Sequence, residues 1–312
     1  MTSIYSIKPA AAGVAVDQVW SQAAGGLATG YTALVPVRVG GATALFAYSR
    51  ATQKTDVYAL TDGAPWLQLG SAKPELAGPA FDSLGSFVLG NEPYLMAYER
   101  ERGSFGFFRV ASDLTLSKPY DFALARNTPT RGFTSVAAYT SLGQVFFTGY
   151  DFDTGIVANF SLVATSSSGG GVPPLLAQNV WYHQWAKGWT RFAFFQLGGA
   201  NFFFKINTAK LNVNIDHMQD DPAMGSVEVG SYLQAQLPDA LAITNAALVP
   251  WADGEPYLLT YIAANGATTV YRVHADCQGW TSLAARATET GASQVIPFRI
   301  GGASYVLFYR DE

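Results

Sequence analysis

The residues of this 312-residue chain best suited to chemistry include a set of small hydrogen-bonding side chains, each eight positions before a glycine-type turn. The set consists of Thr32, Asp82, Thr134, Thr190, Asn245 and Ser293. Asp82 is its one carboxylate, and a partly desolvated acid beside hydroxyl groups favours a raised pKa and general acid–base catalysis. The pattern therefore suggests a polar ring with Asp82 as a candidate catalytic residue. The alternative is structural, because such residues at strand starts often bond the neighbouring backbone.

A second group lies in Val180–Thr190, which holds three tryptophans, a tyrosine and a histidine. Tyrosine and tryptophan offer rigid surfaces for stacking on a sugar or a flat ring, and a histidine exchanges protons near neutral pH. We interpret Trp181 and Trp189 as core residues. The candidates for a site are Tyr182, Trp185 and His183.

Four further residues have both a functional and a structural interpretation. Arg126 and Arg131 could both bind a carboxylate, phenolate or enolate oxygen, and for Arg126 we favour the alternative of surface charge without function. Lys205 stands where related segments end in tyrosine, and burial would depress its pKa. Cys277 is the one cysteine, which excludes an internal disulfide, and is interpreted as a lone thiol.

These residues are embedded in a repeat. Val35–Tyr48 and Ile296–Tyr309 are closely similar, and four weaker copies bring the total to six, spaced 48 to 56 residues apart. The copies end at residues 48, 98, 150, 205, 261 and 309. A large apolar residue recurs ten positions later, at Tyr58, Phe108, Phe160, Ile215 and Tyr271. The spacing is typical of β-propeller blades.

Each unit is predicted to form four short strands, which in the first unit are Thr32–Val39, Ala42–Ser49, Thr55–Thr61 and Trp66–Ser71. Paired turn residues such as Gly-Gly and Gly-Asn supply the positive φ angles of tight hairpins. The last copy is two strands short, and the chain starts with an unmatched strand pair. We therefore predict a single all-β domain over residues 1–312, a six-bladed propeller of four-stranded antiparallel blades whose last blade is closed by the N-terminal strands. The predicted blades span 31–78, 79–131, 132–187, 188–240, 241–290, and 291–312 with 1–28. Two polar insertions, 165–174 and 217–225, are predicted loops.

The composition and the motifs argue against several classes of function. With 49% hydrophobic and 13% charged residues and a net charge of −4, the chain is a poor partner for nucleic acid, and no stretch is long and apolar enough to span a membrane. The N-terminus lacks the pattern of a signal peptide, so a cytoplasmic protein or leaderless secretion is expected. No zinc spacing, phosphate-binding loop or nucleophile elbow is present, so neither a metal nor another cofactor is expected.

The elements Gly-Trp-Thr, Pro-Phe-x-x-Gly-Gly and Leu-x-Tyr make the scaffold resemble the propeller modules of natural-product enzymes. These are the cylindrocyclophane-type alkylating enzymes and the fungal hetero-Diels–Alderases. The resemblance implies a metal-free cyclase or cycloaddition catalyst for a small hydrophobic, aromatic or terpenoid molecule, but no catalytic residue of those families matches a position here. Asp82, Arg131 and His183 are then the candidates for proton transfer or oxyanion binding.

The alternative is a carbohydrate-binding propeller lectin, which repeats its sugar site in most blades. Here the scaffold positions recur but the loops differ, which favours one asymmetric pocket at the channel mouth. The polar ring and the aromatic residues at 182 and 185 are its predicted lining.

Overall fold

Short alternating apolar segments between tight turns favour strands throughout the chain, and strands are what the structure contains. The computed structural model describes residues 1–11, 13–22, 26–72, 74–123, 131–164, 175–207, 210, 212–221, 224–233, 242–251, 255 and 257–311. Within these residues there are 24 strands in six four-stranded antiparallel sheets, with almost no helix. No helix of this part of the chain is long and apolar enough to cross a membrane.

The strands follow in chain order. The first eight are β1 (Thr2–Ala10), β2 (Gly13–Gln22), β3 (Ala33–Val39), β4 (Ala42–Ser49), β5 (Lys54–Leu60), β6 (Leu67–Leu69), β7 (Ser83–Leu89) and β8 (Glu92–Glu99). The next eight are β9 (Ser104–Val110), β10 (Leu116–Ala123), β11 (Ser135–Ser141), β12 (Gln144–Tyr150), β13 (Ile156–Ala164), β14 (Leu175–Gln184), β15 (Trp189–Leu197) and β16 (Ala200–Asn207). The last eight are β17 (Asn212–Met218), β18 (Ser226–Leu233), β19 (Asn245–Val249), β20 (Tyr257–Ile262), β21 (Ala267–Val273), β22 (Trp280–Ala287), β23 (Gln294–Ile300) and β24 (Ala303–Tyr309).

Each sheet is one propeller blade. Blades 1 to 5 are β3–β6, β7–β10, β11–β14, β15–β18 and β19–β22, and blade 6 is β23, β24, β1 and β2. The first strand of each blade packs against the first strands of its two neighbours, and these six strands close a ring around a central channel. The six-bladed all-β prediction is confirmed.

Blade 6 joins the two ends of the chain. β1 pairs with β24 from Thr2 opposite Tyr309 to Ile7 opposite Ser304, and β2 pairs with the other edge of β1. The predicted closure by N-terminal strands is therefore confirmed. It covers the edge of β24, which could otherwise template aggregation.

The apolar core is divided among the interfaces between blades. Blades 1 and 2, for example, bury Phe46, Val57, Leu95 and Phe108 against each other, each at most 1% exposed. Comparable clusters lie between the other neighbouring blades. Burying both faces of every sheet explains the aromatic-rich, weakly charged composition.

Five tyrosines at the ends of second strands connect neighbouring blades, and we call them the linking tyrosines. They are Tyr48, Tyr98, Tyr150, Tyr261 and Tyr309, and each hydroxyl accepts a hydrogen bond from a backbone N–H at or just before the start of the first strand of the next blade, at 2.9 to 3.2 Å. The tyrosine that recurs in the sequence thus helps to fix how each blade packs against the next.

Replacing Tyr261 by phenylalanine should lower the free energy of unfolding by about 1–3 kcal/mol. The Tyr261 hydroxyl donates to the Glu289 carbonyl at 2.7 Å and accepts from the buried Ala292 N–H at 2.9 Å, so both would lose a partner. Urea unfolding measures the effect. Tyr182→Phe is the control, because Tyr182 is 48% exposed; equal stability of the two variants would contradict the linking role.

Candidate functional site

Most of the predicted polar ring bonds the backbone of its own blade. The side-chain oxygens of Thr32, Asp82 and Thr134 accept from the amides of Arg50, Arg100 and Phe152, at 2.9, 2.7 and 3.1 Å. The hydroxyls of Thr190 and Ser293 donate to the carbonyls of Ile206 and Tyr309, both at 3.2 Å. These are the backbone hydrogen bonds that the structural interpretation predicts.

In blade 5 the equivalent residue is Thr244, not Asn245. The Thr244 hydroxyl accepts from the Ala263 amide at 3.0 Å and donates to the Tyr261 carbonyl at 3.1 Å. The predicted position was wrong by one residue, because in the sequence the Asp253-Gly254 pair lies nine positions after Thr244, whereas the corresponding spacing in the other copies is eight. Thr244, and not Asn245, therefore bonds the backbone at the start of the first strand of blade 5.

Asp82 and Arg131 lie together in a shallow depression of about 380 Å³ between the loops of blades 1 to 3. Arg50 pairs with one Asp82 oxygen at 3.0 Å, while the Arg100 amide holds the other. Asp82 is thus engaged in positioning two loops. Arg131 is exposed.

Tyr182 and His183 lie elsewhere. Residues 180–184 belong to β14, the outermost strand of blade 3, so Tyr182 does not lie at the channel mouth where it was predicted. The side chains of Tyr182 and His183 are both exposed. Their strand position follows from pairing with β13, where His183 lies opposite Val157. The predicted catalytic residues Asp82, Arg131 and His183 therefore do not form one constellation with Trp185.

A pocket of about 330 Å³ opens into the channel from the side where the first strands begin. It combines an aromatic wall with many hydroxyl groups, a composition suited to small molecules. The aromatic residues are Tyr150, Trp185, Phe192 and Phe194, and the polar residues are Ser83, Thr134, Ser135, Thr148, Arg191, Thr244 and Asn245. Of the sequence candidates, Trp185, Thr134 and Asn245 are brought together here, and we call this cavity the channel pocket.

Sequence reasoning missed Arg191, the only charged residue among the described lining of this pocket. Its backbone has the left-handed φ of 55°, an uncommon conformation for a residue other than glycine. Its Nε donates to the Ile243 carbonyl at 3.1 Å, which directs the guanidinium across the gap between blades 4 and 5. The sequence did hold one signal for Arg191. It directly follows the polar residue at the strand start, and the residues in that position of the other blades are uncharged.

Lys205 forms a buried ion pair with Asp216, at 2.7 Å between Nζ and Oδ2 and with both residues 4% exposed. Burial lowers the pKa of Lys205 and raises the pKa of Asp216, while their mutual attraction opposes both shifts. The predicted alignment was wrong here by one residue. Ile206, whose carbonyl bonds Thr190, occupies the tyrosine position, and Lys205 faces blade 3 instead of blade 5.

Several remaining predictions have simple outcomes. Arg126 and residues 165–174 lie outside the described residues. The segment at 217–225 is not wholly a loop, because β17 continues to Met218. Cys277 is buried in the turn between β21 and β22, and burial raises the pKa of its thiol to about 11. No group of three metal-ligating side chains occurs among the residues that the structure describes.

Comparison with known proteins gives similarity of fold. No protein-family model and no curated protein sequence matches the chain. A candidate 6-phosphogluconolactonase of Bacteroides fragilis superposes with a TM-score of 0.56 at 13% identity, covering 96% of this chain and 85% of its own. A protein of Lactobacillus plantarum has a TM-score of 0.55 at 11% identity, covering 95% and 85%.

An α-L-arabinofuranosidase of Clostridium thermocellum has a TM-score of 0.52 at 12% identity, covering 81% of this chain and 93% of its own. None of these three proteins is named as a cyclase or an alkylating enzyme. At such low identity the three similarities establish one point, that this chain has the β-propeller fold.

Proposed function

We propose that the channel pocket binds one small organic molecule that has a flat or apolar ring face and an anionic group. The observation that carries this proposal is that Arg191 and Trp185 line the same pocket. A guanidinium binds a carboxylate through charge-assisted hydrogen bonds. An indole offers a large face to a ring.

The geometry of the pocket supports a single site per chain. It is built from the first strands of blades 2 to 5, from the second strand of blade 3 and from the loop that holds Trp185, and each of these contributes different side chains. Arg191 has no equivalent cation in the corresponding position of the other blades. This asymmetry is the reason to prefer one ligand over the repeated sugar sites of a lectin.

Two sources could supply the proposed ligand chemistry, an aromatic or terpenoid carboxylate and a sugar acid. The sugar acid draws support from the hydroxyl groups and from Asn245, which can bond ring hydroxyls beside the Trp185 face. The carboxylate of either ligand would contact Arg191.

A cyclisation without a metal, the activity implied by the sequence resemblance, would use this same pocket in the proposal. Arg191 and the hydroxyl donors around it would then stabilise a developing oxyanion, in place of Asp82, Arg131 and His183. This activity requires binding, so turnover is measured only with a ligand that the channel pocket binds.

Isothermal titration with four probes tests the proposal: cinnamate, glucuronate, and the uncharged cinnamyl alcohol and glucose. We expect one anionic probe to bind with a stoichiometry of one per chain and more tightly than its uncharged partner. Binding of the aromatic anion alone points to an aromatic ligand, and binding of glucuronate alone points to a sugar acid. No binding by either anion, or several glucose molecules per chain, would overturn the proposal.

Arg191→Gln should weaken the binding anion by about 10- to 100-fold, because a hydrogen bond to a charged group contributes about 1.5–3 kcal/mol. Arg131→Gln is the matched control, since it removes an exposed arginine outside the channel pocket. Unchanged affinity in Arg191→Gln, measured by the same titration, would contradict the assignment.

A further inference from the structure

The ion pair between Lys205 and Asp216 differs from the other ion pairs among the described residues because both of its partners are buried. Its two side chains are 5% and 6% exposed. The second Asp216 oxygen, Oδ1, accepts no hydrogen bond from the described residues. Buried ion pairs commonly cost more in desolvation than they return, so they are weak evidence of a stabilising role.

Strand register shows what the other blades place at these two positions. Lys205 immediately precedes Ile206, so its equivalents are the residues before the linking tyrosines: Ala47, Ala97, Gly149, Thr260 and Phe308. Asp216 pairs across the sheet with Phe203 and follows a β-bulge, so its equivalents are Tyr5, Tyr58, Phe108, Phe160 and Tyr271. Five blades thus fold without a charge at either position. The blade itself does not require the ion pair.

The ammonium group lies against aromatic rings. Nζ of Lys205 is 4.1 Å from the ring centre of Trp185, 4.4 Å from that of Trp189 and 5.3 Å from that of Phe203. Cation–π attraction is strongest for tryptophan and for groups removed from water. Lys205 therefore attracts the indole of Trp185 directly.

Trp185 connects this cluster to the channel pocket. It lies in the loop after β14, where its amide donates to the Gly155 carbonyl at 2.8 Å, and its ring stacks on Phe203 at 5.3 Å. The same side chain lines the channel pocket. Its backbone is thus held independently of Lys205, and the ring contacts determine where the indole lies.

We propose that Lys205, held by Asp216, is a positioning residue that fixes the indole of Trp185 as a wall of the channel pocket. The inference rests on the proposed function insofar as it concerns ligand affinity. The position of the indole is a separate consequence that needs no ligand.

The test uses the double variant Lys205→Ala/Asp216→Phe, which gives blade 4 the pair that blade 2 has in Ala97 and Phe108. Near-ultraviolet circular dichroism is recorded with and without Trp185→Phe in each background, so that the difference isolates Trp185. We expect the double variant to fold, to lose most of the Trp185 band, and to bind the anionic probe at least about tenfold more weakly.

The matched control is Arg109→Ala/Glu92→Ala, which removes a partly exposed ion pair of blade 2 outside the channel pocket and should leave the Trp185 band and the probe affinity unchanged. A folded Lys205/Asp216 double variant with the wild-type Trp185 band would overturn the positioning role, as would wild-type affinity for a probe that binds. If the wild-type protein binds no probe, the proposed function fails, and the Trp185 band alone then decides for or against Lys205.

Discussion

A chain that lacks residues 1–22 should not reach the native fold. The deletion removes β1 and β2 and leaves the β24 edge of blade 6 unpaired. Ile4, Tyr5 and Ile7 are at most 4% exposed, and each buried apolar side chain contributes about 1.5–3 kcal/mol. With the lost backbone hydrogen bonds added, the deficit is comparable to the roughly 5–15 kcal/mol by which a whole protein is stable.

Thermal unfolding followed by circular dichroism measures this effect. The truncated chain should show no cooperative transition, and a synthetic peptide of residues 1–22 added in trans should restore one by supplying the missing strand pair. Lys8→Ala is a control within the same segment, because Lys8 is exposed. Cooperative unfolding of the truncated chain at the wild-type temperature would show that blade 6 does not need its N-terminal half.

The second large effect concerns the stability of blade 4. Lys205→Ala alone and Asp216→Phe alone should each lower the free energy of unfolding by about 3–5 kcal/mol, because each leaves a buried charge without its partner. The double variant should recover the wild-type value or exceed it. Urea unfolding of all four proteins gives the interaction energy, and additive losses would contradict the pairing.

The two single variants should respond to pH in opposite directions. Without Lys205, the raised pKa of Asp216 makes the folded state bind a proton more tightly than the unfolded chain, so stability should be regained as the pH falls through that pKa. Without Asp216, the lowered pKa of Lys205 makes the folded state favour the neutral amine, so stability should be regained as the pH rises. The measurement is the free energy of unfolding as a function of pH, with the wild-type curve subtracted. Slopes of the same sign in the two variants would show that Asp216 and Lys205 do not dominate this pH dependence.

The fold was predictable because its signals are local. Alternating apolar residues mark strands, and residues such as Gly40 and Gly301 adopt the positive φ that a two-residue hairpin needs. Each of these patterns is weak in one blade, but it recurs in six blades. The split blade can therefore be recognised because its copy of the repeat lacks two strands.

The errors of one residue have a common cause. Residue types were aligned by similarity, which assigned Lys205 to a tyrosine position and Asn245 to a polar start. In a strand, a shift of one residue moves every side chain to the opposite face. Only packing against the neighbouring blades showed that Ile206 faces blade 5 and that Lys205 and Asp216 face blade 3.

The candidate site was less predictable than the fold. Trp185, Thr134 and Asn245 were identified by type, but Asp82 and Arg131 lie in a separate depression and His183 lies on an outer strand. Arg191 belongs to no recurring pattern, and its left-handed backbone gives no sign in the sequence.

The sequence by itself determined the all-β class, the number of blades and the closure of the ring, since these follow from periodicity, turn chemistry and repetition along the chain. The tertiary structure alone decided which side chains meet in the channel pocket and that a lysine lies buried between two tryptophans. The physical reason is that a pocket and a buried charge depend on contacts between strands far apart in the chain, and those contacts exist only after the blades have packed around the channel.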